Sequence, residues 1–262
     1  MMRALITAGT GMVAQQTNLD VISNNLSNIN TVAFKGMRAE FQDLMYQSLK
    51  PSGAETSGTV RLPGGIQVGL GTRYAGNSVN FSQGGLQATG NPYELAITGE
   101  GFFAVELPDG STGYTRDGSF KRDADGTLVT SDGYKLIPNM SVPANATSFS
   151  VSANGNVSVQ LPGQDQPQLL GTITLTTFPN PAGLTRLGQN IYQAGGASGD
   201  PQTGNPGENG AGSIQGGFVE GSNVSIVEEM IRMITAQRAY EINSKAIQTA
   251  DDMLSILNQL KR

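Results

Sequence analysis

"SIVEEMIRMITAQRAYEINSKAIQTADDMLSILNQL" occupies residues 225 to 260 and contains neither proline nor glycine. Taken in sevens from Ile226 it reads Ile226, Met233, Tyr240, Ile247, Leu254. An offset series adds Ala236, Ala250 and Leu257, interrupted by Glu229 and Asn243. That is the a/d seam of a helix suited to coiled-coil packing. Ser225 followed by Glu228 is a capping box, and Glu228 to Arg232 and Glu241 to Lys245 have the spacing of i,i+4 ion pairs. The pattern predicts one helix of about 35 residues, about 50 Å long at 1.5 Å per residue. No small core can bury one face of a rod of that length. It needs a partner helix, other subunits, or both.

The other end of the chain repeats the pattern. Leu5, Met12, Leu19 and Leu26 are seven apart, and Ala8, Gln15, Ile22 and Ile29 form the offset series. A helix is predicted over about 3 to 29, with Gln15 the one polar seam position. Its second half, "TNLDVISNNLSNINTVAFKG" (17 to 36), carries five asparagines, and Arg3 and Asp20 are the only charges in residues 1 to 34. A lone surface helix would be expected to carry Lys and Glu instead. Amides allow many copies to crowd together without adding like charge. Asparagine is also poor inside helices, so the run from Asn24 to Asn30 marks the helix end. A plain solvated helix end is the alternative.

Between the helices the hydrophobic period changes to two. Residues 94 to 138 alternate β-prone runs with PDG, RDG, ADG and SDG turns, 148 to 161 form a hairpin with Asn154-Gly155 at its tip, and 171 to 179 supply a further strand. The class is therefore α+β: N- and C-terminal helices pair as a coiled coil and enclose a mostly antiparallel β-rich middle. The division predicted is 1 to 34 for the first core helix, 35 to 92 for an extended connector, and 93 to 193 for the β-rich domain. A Gly-rich return connector follows over 194 to 221, and the second core helix over 222 to 262. The connectors are too long and polar for ordinary turns, so they run extended or order only against a neighbour.

Composition narrows the chemistry. The 262 residues include 35 Gly and 12 Pro but no Trp, His or Cys. The commonest proton shuttle, metal ligand and thiol nucleophile are thus missing, and no cofactor or metal is expected. A net charge of -5 without a basic cluster argues against nucleic-acid binding, and no apolar run approaches the roughly 20 residues of a membrane span. Arg3 precedes a weakly apolar stretch, but Gly9 and Gly11 break it and the heptads run through it, so no cleaved signal peptide is expected. A carboxylate-based glycan hydrolase is the enzyme alternative. However, Asp109, Asp117, Asp125 and Asp132 each precede a glycine, which β-turns require. Asp123 to Gly126 lacks the closing ligands of a calcium loop, and residues 69 to 71 and 99 to 101 lack the context of a nucleotide loop. Tyr240 could contact a ligand, but its seam position favours core packing.

The chain resembles the rod and hook family of bacterial flagellar axial proteins. "NLDVISNNLSNINTVAFKG" is similar to the family's N-terminal signature, and "VEGSNVSIVEEMIRMITAQRAYEINSKAIQTADDML" to its C-terminal one. The middle resembles the family's β-domain, so the likeness covers nearly the whole chain. A length near 260 and the stretch 44 to 73 look most like the members that build the distal rod, with proximal rod or hook members as the alternative and a secreted monomeric binding module as the more distant one. The resemblance implies a structural, non-enzymatic subunit of the basal body that spans the periplasm as part of a hollow helical drive shaft. It implies an inner helical layer around an export channel with the β-domain outside. The implied partners are copies of itself, the proximal rod proteins, the hook protein, the P- and L-ring proteins, and the flagellar type III export apparatus, with no nucleic acid and no membrane insertion. On this reading the self-assembly seam comprises Leu5, Met12, Leu19, Ile22, Leu26, Ile29, Ile226, Met233, Tyr240, Ile247, Leu254 and Leu257. Ala33 stands where the family usually has glycine, so residue 33 is not expected to need a positive φ.

Overall fold

The computed structural model describes residues 2–50, 55–57, 60–61, 65–163, 166–208 and 210–260. They form two compact units, one from residues 1–27, 37–78 and 225–262, the other from 28–36 and 79–224.

In the first unit, helix α1 spans Met2–Ser27 and helix α2 spans Ile226–Leu260. Both predicted spans hold to within two residues. Ser225 immediately precedes α2, and its carbonyl accepts the Glu229 N–H at 3.0 Å. The reciprocal side-chain bonds of a capping box are not formed among the described residues. Glu228 and Arg232 reach only 4.0 Å, and Glu241 pairs with Arg238 at 3.2 Å rather than with Lys245. An exposed pair gains little from either geometry, so rotamer preference decides the partner.

The segment after α1 is a β ribbon rather than a loose connector. The strand Met37–Asp43 pairs with Thr72–Val79, Gln47–Lys50 with Ile66–Val68, and Glu55–Ser57 with Val60–Arg61. The ribbon approaches α1 at two places. The Asn25 amide, 1% exposed, donates to Met37 O at 2.7 Å and accepts the Met37 N–H at 2.9 Å. Gly71, at φ +114°, lies where a Cβ would come within 2.2 Å of Thr10 Oγ1. One of the asparagines thus mimics a strand neighbour for the backbone that leaves the helix. Residues 51–54, 58–59 and 62–64 of the predicted connector lie outside the described residues.

The second unit is antiparallel throughout its assigned strand pairs. Its main sheet has seven strands in the order Lys121–Arg122, Leu128–Val129, Lys135–Ile137, Phe103–Glu106, Thr112–Thr115, Ile191–Gln193, Thr185–Gly188. A three-stranded sheet, Ser148–Val151, Asn156–Gln160 and Gln168–Thr172, includes the predicted Asn-Gly hairpin, with Gly155 at φ +80°. Leu95, Ile97, Phe103, Val105, Val157, Ile173 and Leu175 form its apolar centre. The unit also takes in the return segment: Ser213–Gly216 pairs with Leu95–Thr98, and Phe218–Glu220 with Leu86–Ala88. The Asp-Gly turns are what the alternation implied. Asp109 and Asp117 accept the N–H groups of Ser111 and Ser119 at 2.9 Å each, so these carboxylates serve their own turns.

Residue 33 departs from expectation. Ala33 adopts φ +55° and is 1% exposed, and its N–H donates to Glu220 O at 2.7 Å. The left-handed conformation costs an alanine about 1 kcal/mol. The backbone bond to Glu220 and complete burial of the methyl hold it there.

Candidate assembly interface

The two helices of the first unit contact each other and run antiparallel, with Gly11 meeting Asn243 while Ile22 shares a groove with Glu229 and Ala236. Their buried residues are mostly small or polar. Ala8, Ala14, Val21, Ile22 and Asn25 are buried on α1, and Glu229, Ala236 and Ala250 on α2. An added Cβ on Gly11 would lie 2.8 Å from Asn243 Nδ2, so α2 packs closely over this glycine. On α2 the buried residues thus belong to the offset series and include Glu229, one of the two positions that looked like interruptions, while Asn243, the other, is half-buried. Gly11→Val is expected to push the helices apart, lowering the thermal stability of the helix pair by about 2 kcal/mol while the β-rich unit melts unchanged. Differential scanning calorimetry resolves the two.

Many of the large apolar side chains are exposed instead. Met2, Ile6 and Val13 on α1 are exposed, as are Ile226, Val227, Met230, Ile231, Ile234, Tyr240, Ile242, Met253 and Ile256 on α2, with Ile242 at 67%. Of the predicted seam, Ile22 is buried, while Leu5, Met12, Leu19, Leu26, Met233, Ile247 and Leu254 are half-buried. Ile226 and Tyr240 are exposed in the single chain. Ile29 lies past the end of α1 at Ser27, in a turn of the second unit. The Asn-rich stop ends the helix before that heptad position is reached. The Leu257 side chain lies outside the described residues. Isolated exposed isoleucines are ordinary on a surface, but so many along one helix mark an interaction surface.

A groove of about 380 Å³ opens beside this face, lined by both helices and by the strand Met37–Asp43. No helix among the described residues is long and apolar enough to cross a membrane, and no group of three or more acidic side chains there could hold a metal ion.

In the second unit the two signature segments meet around buried charge. Lys35 and Glu220 are 0% exposed and pair at 2.6 Å, and Arg116 Nε reaches the other Glu220 oxygen at 2.9 Å. The Gly84 N–H adds a third donor to Glu220 at 2.8 Å. Lys35 also donates to Ser82 O, and Arg116 to the carbonyls of Gly99 and Gly101. Arg186 donates to Lys35 O and lies over the Phe34 and Tyr192 rings. Asn223 accepts the Gly36 N–H at 2.8 Å and donates to Asn80 O at 2.8 Å. Burial by itself would raise the Glu220 pKa, but Arg116, Lys35 and the Gly84 N–H outweigh it and hold the carboxyl below its ordinary range. Burial lowers the Lys35 pKa, and nearby Arg116 lowers it further against the pull of Glu220. The sequence reading missed this cluster; a Lys, an Arg and a Glu some 80 to 100 residues apart carry no local signal.

The chain matches three flagellar families: Flagella basal body rod protein over residues 5–35, Flagellar hook protein FlgE/F/G D1 domain over 96–159, and Flagellar basal body rod FlgEFG protein C-terminal over 215–260. It is 50% identical over 264 residues to the flagellar basal-body rod protein FlgG of Borreliella burgdorferi, covering 100% of both chains. The chain belongs to the FlgG family of flagellar basal-body rod proteins. The protein of that name in Bacillus subtilis is 40% identical over 268 residues, again with 100% of each chain covered, and the flagellar hook-basal body complex protein FlhP of the same organism is 27% identical over 274. The rod-protein matches at residues 5–35 and 215–260 take in nearly all of α1 and the whole of α2, along with Lys35 and Glu220.

Proposed function

We infer that the chain is a structural subunit of the flagellar distal rod, whose copies assemble head to tail into a hollow helical shaft that transmits torque. The observation that carries this reading is the outward apolar side of α2, which a single chain leaves in water. Neighbouring copies cover one another's exposed isoleucines, and the terminal helices complete a coiled-coil layer between chains rather than within one. A contact joining different faces of identical molecules propagates into a filament when its rotation does not close. The proximal rod proteins and the hook protein extend the same axis, the P- and L-ring proteins surround it, and the type III apparatus exports the subunit.

Purified chain should give straight tubular polymers in electron micrographs at high concentration or on rod fragments. A particle that stays single at every concentration would point to a monomeric binding module instead. The β ribbon contributes stiffness by bridging adjacent copies through Met45, Tyr46, Leu49 and Ile66, all exposed in the single chain. Deleting residues 47 to 75 should therefore give polymers with a visibly shorter persistence length. Equal stiffness after deletion would remove the ribbon from this role.

A further inference from the structure

The chain passes between its two units four times, after residues 27, 36, 78 and 224. Three of these passages converge on one side chain. Asn223 stands at the end of the β-rich unit, just before α2 begins at Ile226. Its Oδ1 accepts the Gly36 N–H at 2.8 Å, where one strand of the β ribbon leaves the unit. Its Nδ2 donates to Asn80 O at 2.8 Å and to Ser82 O at 3.1 Å, where the other ribbon strand returns. The Asn223 N–H adds a longer bond to Phe34 O at 3.3 Å, and the Asn80 N–H donates to Gly36 O at 2.9 Å. All of these groups belong to the β-rich unit.

A single peptide strand turns freely about its φ and ψ angles, so separate strands would each absorb part of an applied twist before passing it on. The backbone bond between Asn80 and Gly36 ties the two ribbon strands to each other, and the Asn223 side chain ties both to the lead-in of α2. An amide suits this place because it accepts on one side and donates on the other, matching an N–H on one strand and a carbonyl on the next. We propose that Asn223 is a torsional clasp: it makes the three passages move as one, so that a twist on α2 is delivered to the β-rich unit instead of being lost in bending of separate strands. The proposal rests on the drive-shaft reading above and names a residue that carries the torque within each subunit.

The chain has no cysteine, so spin labels go only where a cysteine is introduced. Lys121→Cys in the β-rich unit and Gln237→Cys on α2, both at exposed positions, give a doubly labelled chain for pulsed electron-electron distance measurements below the polymerisation threshold. With Asn223 in place the distance distribution should be single and narrow. Asn223→Ala removes all the side-chain bonds, and Asn223→Asp keeps the acceptor for Gly36 but turns a carboxylate oxygen toward two carbonyls. Each should broaden the distribution at least about twofold while the β-rich unit melts close to the parent temperature. Equal widths in all three chains, a parent that is already broad, or unfolding of the β-rich unit in both variants would overturn the clasp. A parent that never polymerises, with the widths still differing, would overturn the shaft reading and leave the clasp standing.

Discussion

Glu220→Ala is expected to lower the melting temperature of the β-rich unit by about 10 °C. The substitution strands two cations, Lys35 at 0% and Arg116 at 4% side-chain exposure, with no anion between them. Removing one partner of a buried pair costs about 3–5 kcal/mol, a large share of the 5–15 kcal/mol that holds a typical domain together. Lys35→Met should cost less, because Arg116 then keeps Glu220 to itself. The acid limb follows from the same cluster. The Glu220 pKa is lower folded than unfolded, so its contribution is present above the ordinary carboxylate range and is lost as pH falls through the folded value. Lys35 has the same direction of shift but the opposite charge: folding disfavours its charged form, so its contribution improves as pH rises toward the ordinary lysine range. Thermal melts of the wild type and Glu220→Ala from pH 7 down to pH 2 should therefore converge at the acid end. A constant gap across that range would mean that the carboxylate charge is not what the triad uses.

The second large effect concerns assembly alone. Ile231→Asp combined with Ile234→Asp changes two side chains that are 59% and 55% exposed in the single chain, so folding should be unaffected. In a polymer each site would lose about 1.5–3 kcal/mol of apolar burial and gain a desolvated charge. The critical concentration should rise by on the order of a hundredfold or more, read by sedimentation, with the circular dichroism spectrum unchanged. Polymerisation at wild-type concentration would place this side of α2 in water within the assembly.

The fold was largely legible because its signals are local. Heptad spacing located both helices, Asp-Gly and Asn-Gly dipeptides located the turns, and the asparagine run located the end of α1 near Ser27. The same reasoning put Ile226 and Tyr240 on the seam by counting large apolar residues, and both are exposed in the single chain. The chain instead buries Ala236 and Ala250 on α2 and Ala8 and Ala14 on α1, with Gly11 close to Asn243, because small side chains let two backbones approach. Gly11 amid alanines was the available clue. Ala33 was misjudged for a related reason. A missing glycine suggested an ordinary backbone, while its conformation is set by a bond to Glu220, far along the chain.

What the amino-acid order alone settled is the main elements and their sequence, two long helices around a β-rich middle, together with the kinship to the rod proteins. Hydrophobic period, turn chemistry and motif spacing are properties of neighbours in the chain. Which side of each helix faces inward, which amides replace backbone partners, and which charges are matched away from water depend on what arrives from a distant segment. Those outcomes follow from close packing and desolvation between residues as remote as Lys35 and Glu220, and only the three-dimensional arrangement could decide them.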